Sequence, residues 1–331
     1  MRLASLLVLL GVACARPRAS EPPASTAAPQ SAGTTSATPG SPSAAPSAAA
    51  GLPATALGSG DWAFTAPGQA PLLVPPAQRY EPPATDGAGA PLIVVLHGLG
   101  ASGKLAFELL GLAALGEKAR AFVLAPDGTF DAKKRRYWNA DPACCNFEHQ
   151  PIDDFSRLSR LLETMRASGR VDPKRLYVVG LSNGGFMAHQ LACRMSERLA
   201  AVVSIGGAGP SNDPPCNVTA PLAVLEIHGD ADDIVRYEGG SVFDDAKVPQ
   251  HPSAEQTLTA WGKRLRCQGA PSVTAHLDLS PRLAEAETDV RGYASCALGS
   301  ANLWTVHGGR HILSTEPVLA EVWRFLAQHT K

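Results

Sequence analysis

An excess of charge of either sign is what this chain most plainly lacks. Its 29 Lys and Arg against 30 Asp and Glu leave a formal net charge of −1 over 331 residues. Such a balance gives no electrostatic footprint for nucleic acid, and the one basic run, Lys133-Lys-Arg-Arg136, reads as a solvated loop. There is no glycine-rich phosphate loop and no GxGxxG turn, so no nucleotide cofactor is inferred. His307 and His311 are four apart, but Gly308-Gly309 between them disfavours a helix and no glutamate follows His307, so the pair does not read as a zinc motif. No cofactor and no metal are expected.

Apolar runs long enough to span a membrane are missing from the front of the chain as well. Residues 1–14 carry one early positive charge and then a short apolar stretch, too brief for an ordinary span, and read as an export signal. The small residues before Cys14 resemble a bacterial lipobox, with Gly11 where leucine is usual. Lipid attachment at Cys14, and through it membrane attachment, is the preferred reading. Ala13-Cys14-Ala15 also fits an ordinary cleavage site that would discard Cys14 and release the protein. Residues 15–60 are almost entirely Ala, Pro, Ser, Thr and Gly, too poor in apolar bulk to form a core, and read as a disordered tether. Residues 61–331 are left as one folded domain.

What is present is concentrated at the ends of apolar runs. Gly180-Leu181-Ser182-Asn183-Gly184 follows the strand-like run Arg175 to Val179 and precedes a helix expected over Phe186 to Met195. A sharp strand-to-helix turn of this kind lifts a serine Oγ above the strand ends and aims free helix N–H groups at the same spot. A serine nucleophile needs a base, and the base needs an acid to orient it. Leu222 to Ile227 reads as a strand ending in His228-Gly-Asp-Ala-Asp232-Asp233; of its carboxylates Asp232 is favoured by motif position. Ala301 to Val306 reads as the last strand, ending in His307-Gly-Gly-Arg-His311. His311, on the glycine-rich loop, is favoured over His307 as the base. Oxyanion donors are expected from the backbone N–H of Asn183 and of Leu99, in the His97-Gly98-Leu99-Gly100 turn after the run Pro91 to Leu96. His97 reads as structural.

Besides the run around Leu176, strands are expected near Phe122 and Ala201, with helices over Leu105 to Glu117, Ile152 to Ala167, Ser253 to Arg266 and Thr315 to Gln328. The alternation predicts an α/β fold, a mainly parallel sheet covered on both faces. Asp153 and Asp154 open a helix, where carboxylates suit the helix dipole without a catalytic role. Setting Cys14 aside, the cysteines form an even set, as in an oxidising compartment. Cys267 is expected to pair with Cys296, which bracket a strand-rich excursion. Cys144 and Cys145, being adjacent, are expected to pair separately with Cys193 and Cys216 in an unspecified order.

HGLG (97 to 100), Trp138-Asn139 before Cys144-Cys145, Asp153-Asp154, GLSNGG (180 to 185), HGDADDIVRYEGG (228 to 240), Trp261 before Cys267, and GGRH (308 to 311) occur together in this order. The set resembles the polyhydroxybutyrate depolymerase and feruloyl esterase family of α/β-hydrolases over roughly Leu92 to Phe325. The resemblance implies a triad of Ser182, Asp232 and His311. It also implies esters derived from polymers, either hydroxyalkanoate polyesters or feruloyl and acetyl esters of plant polysaccharide. The chain departs from the family at Ile312-Leu313-Ser314, where Trp-Pro is common, and at Arg236, where proline is common. Trp138 and Tyr237 are candidates for the substrate cleft. Absence of an inserted helical lid predicts an open cleft for short or aromatic acyl groups. Two rival functions share features of this reading: a serine peptidase of the prolyl oligopeptidase type, for which no propeller segment is present, and a surface binding lipoprotein on a hydrolase scaffold without turnover.

Overall fold

A computed structural model describes residues 59–83, 89–210, 215–283, 286–311, 313 and 315–331. The export signal, Cys14 and all but the last two positions of the expected tether lie outside the described residues.

Nine strands form one sheet: β1 (Arg79–Tyr80), β2 (Ala90–Leu96), β3 (Phe122–Leu124), β4 (Val171–Leu181), β5 (Ala201–Ile205), β6 (Leu222–Gly229), β7 (Ser272–Leu277), β8 (Thr288–Gly292) and β9 (Gly299–Val306). Their order is β7-β8-β9-β6-β5-β4-β2-β3-β1. The six strands from β9 to β3 run parallel, and β1, β7 and β8 join antiparallel at the edges. Parallel strands covered on both faces read as continuous apolar runs. Every residue of β2, β5 and β6 is accordingly buried.

Alternation of side chains along these strands divides the core in two. Leu92, Val94, Leu176, Val178, Val202 and Val224 face helices α3 (Asp154–Ala167), α4 (Asn183–Arg194) and α5 (Ala254–Arg264). Ile93, Val95, Tyr177, Val179, Val203 and Leu225 face α2 (Leu112–Ala119) and α6 (Thr315–Ala327). The single helix expected over Leu105 to Glu117 is instead two, α1 (Gly103–Leu109) and α2, because Gly111 takes a left-handed conformation (φ +61°) that ends one helix and starts the next. Edge strand β7 lies in the strand-rich excursion expected between Cys267 and Cys296; all but its last residue are exposed, so no apolar run marks its bounds.

Cys267 and Cys296 face each other in a two-stranded ribbon and are joined. For the other four cysteines the structure corrects the crosswise expectation. Cys193, at the end of α4, is bonded to Cys216, and Cys144 is bonded to its neighbour Cys145. The Cα atoms of Cys193 and Cys216 are 4.6 Å apart, within ordinary disulfide reach, which leaves the buried Cys144 and Cys145 to each other.

Candidate active site

Parallel order brings the carboxyl ends of β4, β6 and β9 to one edge of the sheet, the place where open α/β sheets hold their ligands. Ser182 follows β4 directly. Its φ of 52° and ψ of −119° lie outside the regions ordinary residues favour, a conformation that costs about 1–3 kcal/mol and that the surroundings must hold. Its N–H donates to Ile205 O at 2.8 Å, and its carbonyl accepts from Gly185 N at 2.7 Å, starting α4. Gly98 lies over the serine. A Cβ there would sit 3.2 Å from Ser182 Cβ, so only glycine passes comfortably.

Asp232 sits in the turn after β6. Its Oδ1 accepts from the N–H groups of Ile234 and Val235 at 2.8 and 2.9 Å. The loop from β9 crosses this turn at Gly229, where a Cβ would meet Gly309 O at 2.1 Å, and Ala231 N donates to that same carbonyl. This crossing carries His311 back over the sheet. His311 Nδ1 is 2.7 Å from Asp232 Oδ2, and His311 Nε2 is 2.9 Å from Ser182 Oγ. With Nδ1–H donating to the carboxylate, Nε2 is left to accept the serine proton. Burial would raise the Asp232 carboxyl, but the neighbouring His228 and the hydrogen bond from His311 outweigh it and hold the group well below the usual carboxylate range.

The rival residues lie elsewhere. His307 is exposed and binds Asp230 at 2.8 Å and Asp289 at 3.3 Å. Asp233 is exposed, within 3.4 Å of Arg310. His97 is buried, with Nδ1 bonded to Gly98 O and Nε2 accepting from Gly128 N, and burial pushes its pKa down, as suits a neutral structural imidazole.

Two cleft candidates are corrected. Trp138 is fully buried beneath the elbow: its indole N–H donates to His97 O at 3.0 Å, while its backbone N–H and C=O are both bonded to the Asn183 side chain. Tyr237 is half-buried and turns its hydroxyl to Glu255 and Thr305. Neither lines the cavity that opens on the serine. Asp154 is buried too, paired with Arg157 at 2.6 Å and accepting from Asn139 N at 2.8 Å, which fixes the turn that carries Trp138.

The cavity on Ser182 and His311 measures about 310 Å³. Sequence reasoning missed its walls, which are Leu105, Leu109 and Leu110 from α1 and its end, Leu313 from the histidine loop, and Val318 and Leu319 from α6. Leu99 and Gly98 line it as well, so the backbone of the 97–100 turn borders the same space as Ser182. Leu105 and Leu109 are exposed at its lip, an arrangement that favours apolar contact with a ligand.

The family model described as phospholipase/carboxylesterase matches residues 84–251. Among curated proteins, the chain is 30% identical over 232 residues to NocK of Nocardia uniformis subsp. tsuyamanensis, whose name assigns it to the esterases only provisionally; the match covers 67% of this chain and 65% of that one. It is 26% identical over 185 residues to feruloyl esterase B of Piromyces equi, covering 53% and 31%. It is 32% identical over 128 residues to poly(3-hydroxyalkanoate) depolymerase C of Paucimonas lemoignei, covering 37% and 29%. The chain thus spans less than two thirds of the length of each of these relatives.

Proposed function

Because the chain belongs to the phospholipase/carboxylesterase family, we propose that it is a serine carboxylic ester hydrolase that works through an acyl-enzyme on esters derived from polymers outside the cytoplasm. The observation that carries this reading is the hydrogen-bonded line Asp232–His311–Ser182 opening into the leucine-lined cavity.

Ser182 Oγ attacks the ester carbonyl as its proton passes to His311 Nε2, and the imidazolium that forms is balanced by Asp232. The oxyanion is received by the backbone N–H groups of Asn183, at the start of α4, and of Leu99. Donors of this kind lower the barrier by about 3 kcal/mol each. His311 then returns the proton to the leaving alcohol, and water, activated by the same imidazole, releases the acid.

The apolar walls favour an aliphatic acyl group, as in a hydroxyalkanoate, over a feruloyl group. Relatives named for both chemistries leave the choice to the cavity. Three disulfides within the domain support export, since such bonds persist where the compartment is oxidising. Lipid attachment at Cys14 and the tether belong to the same proposal, which puts the enzyme at the cell surface or released from it. A hydrolysis panel of polyhydroxybutyrate, methyl ferulate, acetylated xylan and p-nitrophenyl butyrate tests it. Turnover of the polyester and the butyrate above the ferulate is expected; activity confined to methyl ferulate or to acetylated xylan would move the substrate class.

A further inference from the structure

Behind Asp232, away from the serine, lies a continuous buried line of polar side chains that the steps above do not use. Glu226 and His228 are two apart on β6, so both point to the same face of an otherwise apolar strand. There they meet His189 of α4 and Trp261 of α5, and all four side chains are essentially without solvent contact. A carboxylate so placed is costly unless it is paired and hydrogen-bonded.

The positions of the protons follow from what each partner can do. The indole N–H of Trp261 can only donate, and it lies 3.1 Å from His189 Nδ1, so the His189 proton is on Nε2. That Nε2 is 2.9 Å from Glu226 Oε2 and donates to it. At the other end, Val235 O can only accept, and it lies 2.7 Å from His228 Nε2, which therefore carries a proton. The remaining contact is His228 Nδ1 to Glu226 Oε1, at 3.1 Å. A proton on Nδ1 makes His228 an imidazolium with Glu226 on one side and Asp232 Oδ2, 3.4 Å from Nε2, on the other. A proton on Glu226 instead would leave the Asp232 carboxylate without a neighbouring cation at its back. Between two carboxylates the cation is the favoured form.

We infer that His228, held as an imidazolium by Glu226, is a positioning residue of the ester-hydrolysis site, keeping Asp232 ionised and its Oδ2 turned to His311. This rests on the triad reading above. His228 binds Val235 O while Val235 N–H binds Asp232 Oδ1, so the 232–235 turn is closed from both sides and the carboxylate has one orientation. Burial would lower the His228 pKa, but the neighbouring Asp232 and Glu226 carboxylates and its bond to Val235 O prevail and push it up to about 10. Burial would likewise raise Glu226, and its bonds to His189 and His228 hold it low instead.

The other titratable groups around His228 do not supply this charge. His251, on the loop before α5, is buried, bonds Pro252 O through Nδ1, and has its pKa lowered by burial. Tyr237 presents its ring to His228 at 5.8 Å, and its hydroxyl is engaged by Glu255 and Thr305, Glu255 being paired in turn with Arg291. His311 faces Asp232 from the opposite side.

The test uses Glu226→Gln, which can keep the hydrogen bonds to His189 and His228 while removing the charge that holds the proton on His228. With the cation gone, Asp232 attracts the His311 proton more strongly, so the acid limb of kcat/KM on p-nitrophenyl butyrate moves to higher pH. A shift of ~0.5 to 1 unit is expected, with kcat reduced about 10-fold and KM within about twofold. A residue that only stabilised the fold would lower melting temperature and leave the limb where it is. The second readout needs no folded variant of Glu226: in the ¹⁵N-histidine-labelled wild-type protein at about pH 8.5, an imidazolium signal absent from His228→Gln is expected. An unmoved acid limb, or a neutral His228 at that pH, overturns the inference. Ser182→Ala, assayed alongside, separates this from failure of the triad itself, since full activity there would contradict the serine mechanism whatever His228 does.

Discussion

Asn183 holds the backbone of Trp138 at both of its polar groups, accepting from its N–H at 2.7 Å and donating to its C=O at 3.0 Å. The residue whose N–H we propose as an oxyanion donor thus also ties the elbow to the turn carrying Trp138. Asn183 is completely buried, so truncating it strands two backbone groups with no water to replace the lost partner. Asn183→Ala is expected to cost about 3 kcal/mol in urea unfolding and to lower kcat, although its backbone N–H remains. A loss below about 0.5 kcal/mol would mean that the Trp138 turn is held by other contacts.

The two histidines of the last loop separate cleanly in the structure, and mutation separates them in solution. His311→Ala should abolish turnover of p-nitrophenyl butyrate, since the serine loses the imidazole bonded to its Oγ. His307→Ala removes an exposed pair with Asp230 and Asp289 and should leave most activity. The opposite ranking would move the base to His307.

Disulfide connectivity is checked by peptide mapping of the unreduced, alkylated protein made in an oxidising compartment. The expected cross-linked peptides join Cys193 to Cys216 and Cys267 to Cys296, with Cys144 and Cys145 closed within one peptide. A peptide joining Cys193 to Cys144 or Cys145 would restore the crosswise pairing that the sequence suggested.

Acyl preference follows from the cavity walls. Each methylene that enters an apolar pocket is favoured by ~0.8 kcal/mol, about fourfold in kcat/KM. A p-nitrophenyl series should therefore rise from acetate through butyrate before falling by palmitate, where a cavity of about 310 Å³ no longer contains the chain. Leu109, 67% exposed at the lip, can be changed without cost to the core. Leu109→Asp should flatten the rise and leave acetate turnover unchanged. A wild-type optimum at acetate would place the acyl group outside this cavity, and one at palmitate with interfacial activation would indicate a lipase.

Ser182, Asp232 and His311 were legible because each stands just beyond an apolar run, and parallel strands put such positions at one edge of the sheet. The central strands were legible for the same reason, being buried on both faces. Trp138 misled because a tryptophan beside a basic run looks like a cleft residue, whereas here its indole N–H is bonded to His97 O inside the core. In the strand-rich excursion between Cys267 and Cys296, exposed β7 had no apolar run to mark its bounds. The one overlooked cue to the buried line behind Asp232 was local: Glu226 and His228 interrupt the apolar strand two residues apart, and chance rarely leaves two titratable side chains on the covered face of a central strand.

The serine mechanism itself is tested most directly by steady-state hydrolysis of p-nitrophenyl butyrate by Ser182→Ala, with circular dichroism confirming the fold. Ser182 is partly exposed at the elbow and adds little to the core, so the variant should fold normally while kcat falls by several orders of magnitude. Turnover near the wild-type rate in the folded variant would contradict the account.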